Sequence, residues 1–152
     1  MKSLHPRIRI LWVVRAVIFA VIIGAIGTAG AQTLGAPIWI PIIFAVLLLL
    51  LGVVHSLLRY RKWGYEIRDD SLYLERGVLT EVRTVVPLVR IQHVDSRRSA
   101  LERTVGLAST VVYTAGSRGA DVRIPGLEPD TASDLRERLK GLAIEADGED
   151  AV

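Results

Sequence analysis

The sequence predicts a two-helix transmembrane hairpin followed by a small, mainly β domain that a C-terminal α-helix closes. Three observations carry this. From Ala16 to Leu58 the chain runs 43 residues without an Asp, Glu, Lys or Arg. Between Trp63 and Ile124, short alternating apolar and polar runs are separated by turn residues, the pattern of half-buried strands. From Thr131 to Leu142 the apolar positions Ala132, Leu135, Leu139 and Leu142 recur at spacings of three and four, one face of a helix. The expected segments are 1–10 as an N-terminal stretch, 11–62 as the hairpin, 63–142 as the domain and 143–152 as an acidic, disordered tail.

A helix crosses the apolar layer of a bilayer with about 20 residues, so the uncharged run allows two crossings. Gln32-Thr33-Leu34-Gly35-Ala36-Pro37 interrupts it, and Pro37 and Pro41 suit the start of a second helix better than its interior. The expected helices are Leu11–Ala31 and Ile38–Leu58. Lys2, Arg7, Arg9 and Arg15 lie before or in the first turns, Arg59, Arg61 and Lys62 follow the second helix, and the connecting turn carries no charge. The positive-inside rule then puts both ends, and the domain, in the cytoplasm of a multi-pass cell-membrane protein. Trp12, Trp39, Arg15, Arg59, Arg61, Lys62 and Trp63 are the expected interface anchors, with Arg15 snorkelling to the headgroups. Ala29-Gly30-Ala31 resembles a signal cleavage site, but the apolar run resumes six residues later.

Charge is unevenly spread. Residues 1–58 hold four basic and no acidic side chains, whereas residues 59–152 hold 15 basic and 16 acidic ones. The high isoelectric point therefore reports membrane topology and gives no reason to expect nucleic-acid binding. The chain has no cysteine, which excludes disulfides, thiolate metal sites and cysteine nucleophiles.

The β pattern can be read in order. Tyr65–Arg68 is extended, Asp69-Asp70-Ser71 turns, Leu72–Arg76 alternates and Gly77 turns again. Thr80–Val86 sets Val82, Thr84 and Val86 against Glu81 and Arg83 until Pro87 stops it. Arg90–Ser96, Ala108–Tyr113 and Val122–Ile124 follow as strands, the last two joined by a loop at 116–119. Leu101–Val105 before Gly106 suits a single helical turn with a glycine stop. Thr131 or Asp130 caps the final helix. Six or seven strands and one amphipathic helix predict a small β-barrel or orthogonal sandwich, the architecture of a pleckstrin-homology (PH) domain.

Several stretches also resemble a family in order: Trp63-Gly64-Tyr65-Glu66-Ile67, Leu72–Leu79, Val86–Val94, Ser99–Ala108 and Thr114-Ala115-Gly116. They look like the bacterial PH-like domain of YdbS-type membrane-anchored proteins. The resemblance covers Trp63–Leu142, and the two preceding helices match the family layout. It implies a PH-like fold on the cytoplasmic face, no known enzymatic activity, and a hetero-complex with a larger membrane protein bearing related domains. It brings no ligand. Eukaryotic PH domains hold phosphoinositides with basic residues at the first β-turn, where this chain has Asp69-Asp70, which repel a phosphate.

No motif for catalysis, cofactor or metal emerges. His5, His55 and His93 are scattered, without metal-ligand spacing, and no phosphate-cradling glycine loop or nucleophile elbow is present. The basic set Arg90, Arg97, Arg98 and Arg103 is the candidate contact for an acidic partner or the anionic leaflet. Its plainer reading is a solvated surface paired with Asp95 and Glu102. The expected function is a non-enzymatic docking or scaffold module, touching membrane lipids and holding a membrane-protein partner or a second copy. The alternatives are a sensor of anionic headgroups and an accessory subunit of a transporter or membrane enzyme.

Overall fold

The computed structural model describes residues 1–116 and 121–150, so most of the loop expected at 116–119 lies outside the described residues. The chain divides into two compact units, one formed by Arg9–Arg61 and the other by Met1–Ile8 together with Lys62–Val152.

The first unit is the hairpin. Helix α1 runs from Ile8 to Leu34 and α2 from Trp39 to Lys62, both long and apolar enough to cross a membrane. Helix α1 outruns its expected span at both ends and α2 at its C-terminal end, because the polar flanks continue the helical backbone past the apolar run. Gly35, at φ +67°, makes the turn between them. The helices meet through small residues. A methyl placed on Gly24 would lie 3.0 Å from Ala45, one on Gly27 would lie 2.7 Å from Pro41, and one on Gly52 would lie 2.7 Å from Ala16. Ala20 and Ala31 are buried on the same helix as Ala16, Gly24 and Gly27. Spacings of three and four put these five residues on one stripe, the small-residue packing that lets membrane helices approach closely. The large side chains, among them Phe19, Ile26, Ile43 and Leu50, point outward and are exposed.

The second unit has two antiparallel sheets and a helix. One sheet has the order β1–β2–β3–β4, formed by Lys2–Ser3, Gly64–Ile67, Ser71–Arg76 and Val82–Pro87. The other has the order β5–β6–β7, formed by Ile91–Arg97, Ala108–Thr114 and Val122–Leu127. All pairings are antiparallel. A 3₁₀ turn at Leu88–Arg90 links the sheets, and the short helix α3 spans Ala100–Thr104. Two antiparallel sheets and a C-terminal helix fit the expected PH-like domain; among the described residues no ladder joins the two sheets, so a closed barrel is not shown. Leu72, Leu74, Val86, Leu88, Leu107, Val112 and Ile124 form the core.

Two elements go beyond the sequence reading. Residues 1–8, to which the sequence assigned no structure, are part of this unit. Lys2 pairs with Tyr65 and Ser3 with Gly64. Leu4 and Ile8 are almost fully buried. The His5 amide donates to the Gly126 carbonyl at 2.7 Å, and the His5 ring lies 3.3 Å from Glu128. Gly126 has φ +64°, and a methyl there would sit 2.8 Å from the Ile8 Cβ; only glycine meets both the backbone and the packing requirement. The second element is α4, which spans Pro129–Asp150. The tail read as disordered is helical to Asp150, and the helix starts on Pro129, whose fixed φ suits a first helical position. Ala132, Leu135 and Leu139 are buried as expected, Leu142 is half-buried, and Ile144 is exposed. The Thr110 hydroxyl donates to the Ala132 carbonyl, fastening α4 to β6.

Candidate functional site

Alternation along β5, β6 and β7 separates two faces. Val94, Thr110, Val112, Val122 and Ile124 turn inward and are buried. Asp95 and Arg97 on β5 face Val111 and Ser109 on β6, and Arg123 on β7 is paired with Val111. The outer face therefore places arginines around a small apolar floor. A cavity of about 550 Å³ opens there, lined by Arg97, Arg98, Ser99, Val111, Tyr113, Asp121, Val122 and Arg123.

Two of the four arginines singled out from sequence meet in this cavity, and two do not. Arg97 bonds to the Tyr113 hydroxyl and lies 3.5 Å from Asp95. Arg98 donates through Nε to the Leu107 carbonyl at 3.2 Å. Arg90 ends the 3₁₀ turn and Arg103 sits on α3; both are exposed and neither lines the cavity. Arg123, which the sequence did not single out, is the third member. An arginine alternating with Val122 and Ile124 reads as the solvent side of a strand, and only the cross-strand register brings it to Arg97 and Arg98.

Arg123 is held in place by a buried carboxylate. Its Nε donates to the Ser109 hydroxyl at 3.1 Å and its terminal nitrogen to Glu102 Oε1 at 2.9 Å. Glu102 is 2% exposed. Its other oxygen accepts the Ser99 amide at 2.7 Å, while the Ser99 hydroxyl accepts the Glu102 amide. This capping box fixes the start of α3. Burial opposes the charge on Glu102, but the Ser99 amide and hydroxyl and the Arg123 guanidinium outweigh it and hold the carboxyl below its ordinary value of 4.5. A carboxyl depressed by folding stabilises the native state above its unfolded-state value and loses that contribution as pH falls through its folded-state value. Glu102→Gln should therefore cost about 1–3 kcal/mol at neutral pH. Chemical denaturation of both proteins across the acid range should show the gap closing below about pH 4.5. A gap independent of pH would mean the loss is one of packing alone.

A second concavity, of about 740 Å³, runs between the β5 region and α4 and is lined by Val89, Ile91, Val94, Arg136, Lys140 and Ile144 among others. Among the described residues β5 pairs only with β6, so its other edge carries no strand. His93 is exposed on β5 and lies 2.7 Å from Asp95, with its ring 5.9 Å from that of Tyr113.

The expected membrane anchors divide into three groups. Trp12 is buried beneath the Arg59 guanidinium, 4.4 Å from its ring centre, and Arg9 stacks on Tyr60 at 4.6 Å. These cation–π pairs clasp the start of α1 to the end of α2. Arg15, Trp39, Arg61 and Lys62 are exposed. Trp63 is buried by protein, at 5% exposure, and is not a ring left free for headgroups. The turn at Asp69-Asp70 is exposed, and the Asp70 carboxylate accepts the Ser71 hydroxyl at 2.8 Å.

Apolar hairpin, two antiparallel sheets and closing helix together define a membrane-associated bacterial PH-like protein. The chain belongs to the bacterial PH domain family, whose model matches residues 9–143 and so covers hairpin and domain alike. It is similar to the transmembrane protein YdbS of Bacillus subtilis (strain 168), with 31% identity over 111 residues, 70% of this chain and 68% of that protein. No solved structure matches the chain significantly.

Proposed function

We propose that this protein is a non-enzymatic docking module, tethered in the cell membrane with both termini and its PH-like domain on the cytoplasmic face. It holds an extended segment of a membrane-protein partner. The observation that carries this reading is the groove between the bare edge of β5 and α4. An unpaired strand edge offers backbone donors and acceptors to an incoming strand, and pockets beside it select side chains. The charge balance supports docking over general adhesion to anionic lipid, since residues 59–152 hold nearly equal numbers of acidic and basic groups. Tethering supplies the affinity. Two proteins confined to one membrane meet at high effective concentration, so a modest contact suffices. Cytoplasmic orientation rests on the basic residues that flank the hairpin at both ends.

The test is a gentle-detergent affinity pull-down of the full-length chain read by mass spectrometry, alongside Ile144→Glu. Ile144 is 65% exposed and lines the groove, so the substitution leaves the core intact. The expected result is a stoichiometric membrane protein that Ile144→Glu loses. Recovery of the chain with enriched anionic lipid and no protein would favour a lipid sensor. Partner retention that depends on the hairpin alone would favour an accessory subunit of a larger membrane assembly.

A further inference from the structure

The arginine cavity on the outer face of β5–β6–β7 is separate from the docking groove and has a chemistry of its own. Among the described residues its lining carries three guanidinium groups and one carboxylate, Asp121, with the carboxylates of Asp95 and Glu102 paired to Arg97 and Arg123 beside it. Glu102 does not line it, because it is buried with its oxygens turned to Ser99 and Arg123. Each guanidinium is oriented by a different anchor: Arg97 by Tyr113 and Asp95, Arg98 by the Leu107 carbonyl, and Arg123 by Ser109 and Glu102. An arginine has five N–H donors. Among the described residues Arg98 commits only its Nε donor, so its terminal nitrogens keep theirs.

From this arrangement we infer that the cavity is a binding site for a phosphate group. One guanidinium fork satisfies the two oxygens of a carboxylate. Three guanidinium groups around a single cavity suit a group with more oxygens, and a phosphomonoester carries a charge of about −1.5 to −2 at neutral pH. Asp95 and Glu102 orient Arg97 and Arg123 and offset part of their charge, so the terminal donors of Arg98 lead the contact. Tethering each arginine beforehand lowers the ordering cost of binding. The site lies on the opposite sheet from the acidic Asp69-Asp70 turn, so that turn does not oppose it. The phosphate belongs to a soluble phosphomonoester or to a lipid headgroup, and both present the same oxygens.

The experiment uses the full-length chain in phosphatidylcholine nanodiscs titrated with inorganic phosphate and with glycerol 3-phosphate, followed by calorimetry. A second arm uses native mass spectrometry of the chain released from mixed micelles of phosphatidylcholine, phosphatidylserine and phosphatidic acid. Saturable binding of the soluble phosphates supports the site with a soluble source. Selective retention of phosphatidic acid over phosphatidylserine supports it with a lipid source. In either arm Arg97→Ala and Arg98→Ala should weaken binding by about tenfold or more each, whereas Arg90→Ala and Arg103→Ala should leave it unchanged. Thermal unfolding of each variant should match the native chain. Absence of binding in both arms, or binding that Arg97→Ala and Arg98→Ala do not weaken, overturns the assignment. Partner capture by Arg98→Ala reports on the docking groove independently, so the two proposals fail separately.

Discussion

Leu4→Ala and Ile8→Ala should each destabilise the PH-like domain by about 2–5 kcal/mol, although the hairpin separates both residues from the rest of the domain in the chain. Leu4 is 2% exposed and Ile8 1%. Each truncation removes buried apolar surface and leaves a cavity, and at Ile8 that cavity opens against Gly126, which has no side chain to fill it. Denaturant unfolding of the full chain in detergent, followed by a probe within the domain, measures the loss. Deleting residues 1–8 should cost more, since it also removes the β1 ladder and the His5 bond to Gly126. A domain unaffected by these changes would show that the first strand is not part of it. The same packing bears on processing: cleavage after Ala31 would strip the domain of β1, Leu4 and Ile8.

Leu139→Ala should cost a similar 2–5 kcal/mol, roughly, and Leu135→Ala should do likewise, while Ile144→Ala, on the same helix, should change stability by no more than about 0.5 kcal/mol. Leu139 is fully buried, Leu135 is 6% exposed and Ile144 is 65% exposed. The contrast divides α4 into a half packed against the sheet and a half that extends beyond it beside the β5–α4 groove. Thermal or denaturant unfolding of the three variants checks the division. Equal, small effects would make α4 an exposed element along its whole length.

How much of this was legible in sequence depended on whether the signal was local. The hairpin was, because a run of 43 residues without a formal charge suits the interior of a bilayer and little else. So was the α3 turn, where Leu101 and Val105 four apart and Gly106 after them state a helical turn and its stop, although the Ser99–Glu102 capping box that starts it went unread. The strands were legible by alternation, with limits misjudged where Thr80 and Glu81 prolong the pattern before β4 begins at Val82. Lys2–Ser3 was not legible, since so short a strand has no periodicity and its partner lies beyond the hairpin. The acidic composition of 143–152 suggested disorder, but residues 143–150 continue a helix already nucleated by Leu135 and Leu139, and extension costs far less than nucleation. Small residues in α1 give no notice in composition, and the stripe from Ala16 to Ala31 is legible only in their spacing of three and four.

The candidate site was half visible. Arg97 and Arg98 stood out as adjacent charges, and the cavity includes them. Arg90 and Arg103 stood out equally and are directed elsewhere by the 3₁₀ turn and α3. Arg123 and its buried partner Glu102 are 21 positions apart, so only the fold joins them. Sequence shows which charges are near in the chain, whereas a binding site depends on which are near across the sheet.

Impermeant-thiol labelling in intact cells tests the central claim, a domain built from both ends of a membrane hairpin and held at the inner face. The chain has no native cysteine, so single substitutions Ser3→Cys, Thr33→Cys and Glu145→Cys report without background, and all three positions are exposed. The expected result is labelling of Thr33→Cys from outside, with Ser3→Cys and Glu145→Cys labelled only after the membrane is opened. Labelling of Ser3→Cys and Glu145→Cys from opposite sides would contradict the account, since β1 could not then pair with β2.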